Sequence, residues 1–410
     1  GSPPSPTRGQ VYAGAIRITG TTVVRAMAHQ AGLRPTNVDT QTYLFAEDVV
    51  DQSRMRTSVT QSATLGPQMI DSLKSVPTIS IVTDNPGPFM NESGGNIRSE
   101  SPASVEMIFP DGTRGFQEDG GLKHFGGYYT NFRKKNFRIG FRSQYGATKI
   151  NYPLFDGFDY KHYPPTERFD IMDLRSGSHD MNSRGAYMSN RFTDDSMLDM
   201  GNLAPHGRFV HVYLNGSYWG QYHLRERWNA DMLANYLGGA KADYEAINGN
   251  WNVGGWADPG DPYDGDGLAW KRIKSLRGSY ERIRAHLDVT HYIDYMLLHM
   301  FGKAEAEYRC VGPVGPGSGF KFYLNDADGW LRTSPGDRTV RGAPGRKHGD
   351  GPGSIFSMLH KEGHPEYRVL LADRIHKHLF NDGALAPGKN MARLKARVAE
   401  MELAFLAEAA

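Results

Sequence analysis

Between Ala103 and Phe155 apolar and polar residues alternate with a period of two, interrupted by Pro110-Asp111-Gly112-Thr113. That period belongs to strands with one buried face, so the segment predicts antiparallel β-structure. Phe137–Phe141 alternates as an edge or half-buried strand would. A second hairpin is predicted over 208–228, "RFVHVYLNGSYWGQYHLRERW", because Asn215-Gly216 accept the positive φ angles of a two-residue turn. Thr78–Thr83 follows a short helix and reads as a buried strand. Alternation in Ile16–Ile18 and Thr21–Ala28 predicts strands of a small β-sandwich. So few strands cannot close one, so they either need an upstream half or dock on the main domain. After residue 281 the period becomes helical: 281–302 carries a break and cap at Asp288-Val-Thr-His, and two amphipathic helices follow around Asn381-Asp-Gly. A β-rich half followed by a helical half predicts an α+β fold.

Composition supports a loop-rich chain of two or three lobes: 410 residues contain 48 glycines, 23 prolines and 21 tyrosines. The 47 basic and 45 acidic residues leave a net charge of +2, so no global field draws nucleic acid. Cys310, the single cysteine, excludes an internal disulfide framework and a thiolate zinc cluster. No run approaches the roughly 18 apolar residues of a membrane span. "GSPPSPT" reads as a tag scar or Pro-rich linker, with the chain then a piece of a larger protein.

Four clusters carry candidate chemistry. "GGLKHFGGYYTNFRKKNF" (120–137) sets glycine pairs before Lys134 and Lys135, which suits an anion, although an ordinary hairpin uses the same residues. "LRSGSHDMNSRGAYMSNRF" (174–192) places Arg175 in a run that either binds phosphates or braces the core with ion pairs. Glu226, between two arginines, is either a structural ion pair or the partner of a phosphate-binding lysine. "FKFYLNDADGW" (320–330) ends a strand on Asp326 and Asp328, whose i, i+2 spacing lets both face one Mg²⁺ or Mn²⁺ or else makes a plain Asp-Gly turn. The acidic loop "DPGDPYDGDGLAW" (258–270) lacks the EF-hand spacing, and His376 and His378 fall on different faces of a helix. No Gly-x-Ser-x-Gly, His-Glu-x-x-His or Walker pattern occurs.

In this order the clusters resemble the CotH family, the spore-coat protein H-like atypical kinases of bacteria. The resemblance rests on "ASVEMIFPDG", "DGGLKHFGG", "RKKNFRIGFRSQYGATKINYPLF", "LRSGSHD", "FVHVYLNGSYWGQYHLRER", "GFKFYLNDADGWL" and "FSMLHKEGHPEYRVLLADRIHKHLFNDGAL", across 77–385. "ITGTTVVRAMAHQAGLRPTNVDTQTYLF" is similar to the chitobiase C-terminal-like β module. The resulting division is a linker at 1–10, a partial sandwich at 11–46, a connector at 47–76, the kinase-like domain at 77–385 and a C-terminal helix at 386–410. The resemblance implies a bilobal protein-kinase-like fold, with a β-rich N-lobe and a helical C-lobe, that phosphorylates proteins with ATP outside the cytoplasm. It implies ATP-phosphate contacts for Lys134 or Lys135 and for Arg175. Glu226 would orient the lysine or a metal, and Asp326 and Asp328 would hold Mg²⁺ or Mn²⁺.

The sequence departs from the family where an Asn-x-Asp-Trp element is expected, reading "GKAEAEYRCVGPVG" over 302–315. Glu305 stands nearest the catalytic aspartate, Glu307 is next, and Asn325 replaces the tryptophan before the metal acid. Two readings follow. One is a kinase in which Glu305 takes the hydroxyl proton beside Asp326. The other is a catalytically degenerate surface module that binds a glycan, polymer or partner protein, with Ca²⁺ in the 258–266 loop. Nucleotidyl transfer would use the same lysine and acids.

Overall fold

The structure is a computed structural model and describes residues 3–126, 134–158, 160, 162–177, 181, 187–249, 261–276, 278–302, 307–315, 317–325, 327 and 352–410. Strands β1 (Thr22–Ala26) and β2 (Asp39–Tyr43) pair as one antiparallel hairpin, whereas Ile16–Ile18 forms no strand. The hairpin docks on the main body: the Thr42 and Ser80 hydroxyls meet at 2.8 Å, and Arg25 pairs with Asp84 at 2.6 Å.

Seven further strands close a barrel. In chain order they are β3 (Thr78–Thr83), β4 (Ser101–Ile108), β5 (Arg114–Phe125), β6 (Asn136–Gly140), then, past the short pair β7 (Ile150–Asn151) and β8 (Arg168–Phe169), β9 (Ile171–Arg175), β10 (Gly207–Leu214) and β11 (Ser217–Arg225). Around the barrel the order is β10-β11-β9-β6-β5-β4-β3, with β3 returning to β10 in parallel. Closure leaves no edge, so Phe137–Phe141 lies in the interior of the sheet between β5 and β9 rather than at an edge. The predicted turns form as expected, with positive φ at Asn215 (50°) and Gly216 (79°) and at Gly112 (83°). Ile79, Val105, Leu122, Phe137, Leu174 and Leu224 point inward and fill the barrel.

The second body adds a sheet to the expected helices. It contains a four-stranded antiparallel sheet, β13 (Asp261–Asp264), β12 (Tyr244–Gly249), β14 (Glu307–Pro313) and β15 (Lys321–Asn325), in that order. Trp270, Tyr292, Tyr295 and Phe322 join that sheet to the helix Val289–Gly302. Asp288 breaks and caps this helix as its sequence suggests, accepting from the His291 N–H at 3.0 Å. At the C-terminus the predicted single helix is two, Pro387–Met401 and Ala404–Ala409, and the second packs back onto β11 and the short helix Met69–Leu73, where the Ala407 N–H donates to Ser72. The fold is α+β, with a β-rich N-terminal body and helices gathered toward the C-terminus. Among the described residues no helix is long and apolar enough to cross a membrane.

Candidate functional site

The outer face of β6, β9 and β11 carries an unusual row of charge. Alternation sends Phe137, Leu174 and Leu224 into the barrel, and their neighbours Arg138, Asp173, Arg175, His223 and Arg225 outward. Register sets Arg138 beside Asp173, Asp173 beside Arg225, and Arg175 beside His223. Both Asp173 oxygens are taken by Arg138, at 2.6 and 2.7 Å, in a bidentate pair. Burial pushes the Asp173 carboxyl up, but Arg138 more than reverses this and holds it below its ordinary range.

The helix Ser189–Asp199 is buried over almost its whole surface, and its Asp194 lies within electrostatic reach of Arg225 and Arg175 on this face. Asp194 and Asp195 are neighbours on it with opposite electrostatics. Burial pushes Asp194 up to about 7, against the pull of Arg191, Arg225 and Arg175. Asp195 also pays for burial, but Arg191 and Arg397 hold it well below its ordinary range. At the start of the same helix the Asn190 carboxamide accepts from the Ala327 N–H at 3.0 Å, and both residues are buried. Ala327 lies between Asp326 and Asp328 in the sequence. On the sheet below, Glu307 pairs in register with Asn325, so the chain enters β14 and leaves β15 at one end of the same ladder.

The other expected residues separate. Lys134 Nζ donates to the Gln221 carbonyl at 2.5 Å and to Glu408 at 2.6 Å, and lies 4.5 Å from the centre of the Tyr222 ring. Burial lowers its pKa while Glu408 raises it. Lys135 reaches a different neighbour, donating to the Glu92 carbonyl at 3.2 Å. Glu226 does not orient either lysine, a correction to the sequence expectation. Its Oε2 accepts from the His206 N–H at 2.7 Å and meets His206 Nδ1 at 2.9 Å, while Oε1 accepts from Tyr236 at 2.9 Å. The physical reason is reach: Glu226 follows the end of β11, where the returning His206 segment closes over it, and Lys134 lies along β11 at Gln221. Arg175 is on the charged face as described. Asp326, Asp328 and Glu305 lie outside the described residues.

Glu226→Ala is therefore expected to act on folding. It strands the buried His206 N–H, worth about 1–3 kcal/mol when unsatisfied, and leaves the Tyr236 hydroxyl only its contact with His206 Nδ1. Denaturant unfolding should show the midpoint falling, and Glu226→Gln, which keeps one acceptor, should fall less.

The acidic loop gives no calcium cage from its described carboxylates. Asp264 accepts from the Ala230 N–H at 3.1 Å and pairs with Lys241 at 3.3 Å, and Asp266 caps Leu268 at 2.9 Å. One group, Glu281, His364 and Glu366, has metal-compatible spacing, but Arg284 already pairs with both glutamates at its surface position. His378 lies 3.3 Å from Asp294.

The residues missed from sequence are Arg138, Asp173, Asn190, Asp194, His223 and Arg225. A signal for all six was present: "FRIG", "DLR" and "HLR" each alternate a core residue with charge, and "NRFTDD" lies at the start of a helix. A charged strand face reads as solvated until its burial is known.

Residues 122–304 match a family described as CotH kinase protein. The match is narrower than the 77–385 expected and contains the whole arginine-bearing face of β6, β9 and β11. No curated protein matches the chain. This match, over less than half of the chain, supports a CotH family assignment for residues 122–304.

Proposed function

We propose that the chain transfers a phosphoryl group from ATP to Ser or Thr hydroxyls of a protein, working outside the cytoplasm. The observation that carries this is the convergence on one helix: Asn190 holds the Ala327 amide between the two sequence-predicted metal acids, and one turn later Asp194 faces Arg225 and Arg175. Phosphoryl transfer needs little covalent chemistry from a protein, only cations on the phosphates, carboxylates for a divalent ion, and an acceptor hydroxyl in line. Arg175 and Arg225 are the cations in this reading. Asp326 and Asp328 are the carboxylates for Mg²⁺ or Mn²⁺, which would neutralise phosphate charge, and Glu305 is the group that takes the hydroxyl proton. The kinase-like unit spans 77–385, with the N-terminal hairpin docked on its barrel.

A second reading, a kinase-like scaffold that binds a surface partner without catalysis, is favoured by Lys134. The lysine that the family resemblance assigns to ATP is held by Glu408 and Gln221.

A thermal-shift series separates the two. ATP with Mg²⁺ is expected to raise the melting temperature, since a ligand at 100 times its Kd adds about 2.7 kcal/mol to the native state. A shift from oligosaccharides or Ca²⁺ with none from Mg²⁺ and ATP would favour the scaffold.

A further inference from the structure

A cavity of about 480 Å³ opens beside Asp170, between the β7–β8 pair and the helix Ala230–Leu237. Two of its carboxylates are each already held by a lysine and an asparagine. Asp231, its side chain 4% exposed, accepts from Lys149 and, at 3.1 Å, from Asn235. Asp170 accepts from Lys241 and from Asn229, both at 2.9 Å. Asn235 also donates to the Arg168 carbonyl at 2.9 Å, which ties the helix to β8. Arg168 itself lines the cavity, is exposed, and makes no ion pair among the described residues. Thr148 and Thr166 add hydroxyls, and Ala234, Gly239 and Ala240 give a wall without long side chains.

This lining selects among ligands. An apolar molecule would cover charged groups that it cannot bond. A polyphosphate would bring several negative charges against Asp170 and Asp231. Hydroxyl groups suit the carboxylates, because each can donate to one and accept from the lysine beside it. Lys149 is matched by Asp231 and Lys241 by Asp170, while Asp264, which Lys241 also meets at 3.3 Å, does not line the cavity. Arg168 is the charge left over, and its fork fits a single carboxylate. We infer that this cavity binds an acidic sugar, a hexuronate unit with its ring hydroxyls on the two Asp–Lys pairs and its carboxylate on Arg168. The volume lies within the range of small-ligand sites and admits a mono- or disaccharide. Asp170 lies five residues before Arg175, which ends β9, a span of about 16 Å in an extended chain, so the cavity is separate from the charged face. The inference goes beyond the phosphoryl-transfer reading and does not depend on it.

The test is a ligand-observed NMR titration of the intact chain with glucuronate and galacturonate, their neutral parents glucose and galactose, and acetate. Wild type, Arg168→Met and Lys241→Met are compared. Wild type is expected to bind at least one uronate about tenfold more tightly than its neutral parent, the size of one charge-assisted hydrogen bond, and more tightly than acetate. Arg168→Met should bring that uronate down to the affinity of the parent and leave the parent unchanged. Its melting temperature should match wild type, because the guanidinium it removes makes no ion pair. Lys241→Met should weaken uronate and parent alike, by about threefold. Uronate binding that survives Arg168→Met, or none by wild type, overturns the site. Acetate bound as tightly as the uronate would show a bare carboxylate site, such as one for an acidic peptide side chain, and overturns the sugar. Loss of phosphoryl transfer in separate assays bears on the kinase reading alone.

Discussion

Asp195→Ala is expected to cost about 3–5 kcal/mol of folding stability, the loss typical of breaking a buried ion pair from one side. Asp195 is 2% exposed and accepts from Arg397 at 2.7 and 2.9 Å and from Arg191 at 3.0 Å, with the Tyr160 hydroxyl as a further donor. Truncation leaves two buried guanidiniums facing each other across a cavity. It also removes one of the ties between the helix Pro387–Met401, which carries Arg397, and the helix that holds Asn190, leaving Arg393 on Asp199 as the other. Urea unfolding at pH 7 is the measurement, and a midpoint equal to wild type would sink the proposed bracing role.

The pH dependence separates Asp195 from its neighbour. Asp195 is depressed below its ordinary value of 3.8, so its contribution stands above that pH and is lost only as pH falls through the folded value. Asp194 is raised to about 7, so the stability it lends is full below 3.8 and is lost as pH rises through about 7. Unfolding of Asp194→Asn between pH 4 and 8 should therefore lack a decline that wild type shows.

Asp326→Ala is expected to lower phosphoryl transfer by about two to three orders of magnitude, the size seen when one electrostatic stabiliser is removed from a transition state. The expectation follows from placement. Asp326 directly follows Asn325, where β15 ends, and directly precedes Ala327, whose amide Asn190 holds. The proposed function gives this carboxylate the divalent ion, and the expected loss rests on that role. Folding should change little, so steady-state transfer rates and unfolding midpoints together distinguish lost chemistry from lost structure.

Local chemistry made much of the fold legible. The Asn215-Gly216 turn, the Asp288 cap and the break at Asn381, whose φ is 53°, all depend on a few adjacent residues. Contacts between distant positions were not legible. Barrel closure pairs Thr78–Ile81 with His211–Leu214, and β12 reaches β14 across a long separation. The candidate site divides in the same way. Arg175 was singled out because its run is dense in polar residues. Lys134 was assigned to phosphate because its partner Glu408 is 274 positions away. Glu226 was paired with a lysine because His206, 20 positions earlier, gives no sign in the sequence of closing over it. Arg225 looked like an ordinary strand arginine until its burial was visible.

The central claim is that this chain moves a phosphoryl group from ATP to protein. Its most direct test is transfer of label from γ-labelled ATP to a generic protein substrate, with Mg²⁺ or Mn²⁺ present or chelated. The account predicts label on Ser or Thr that requires the metal. No label with either metal, while the chain remains folded, would contradict it.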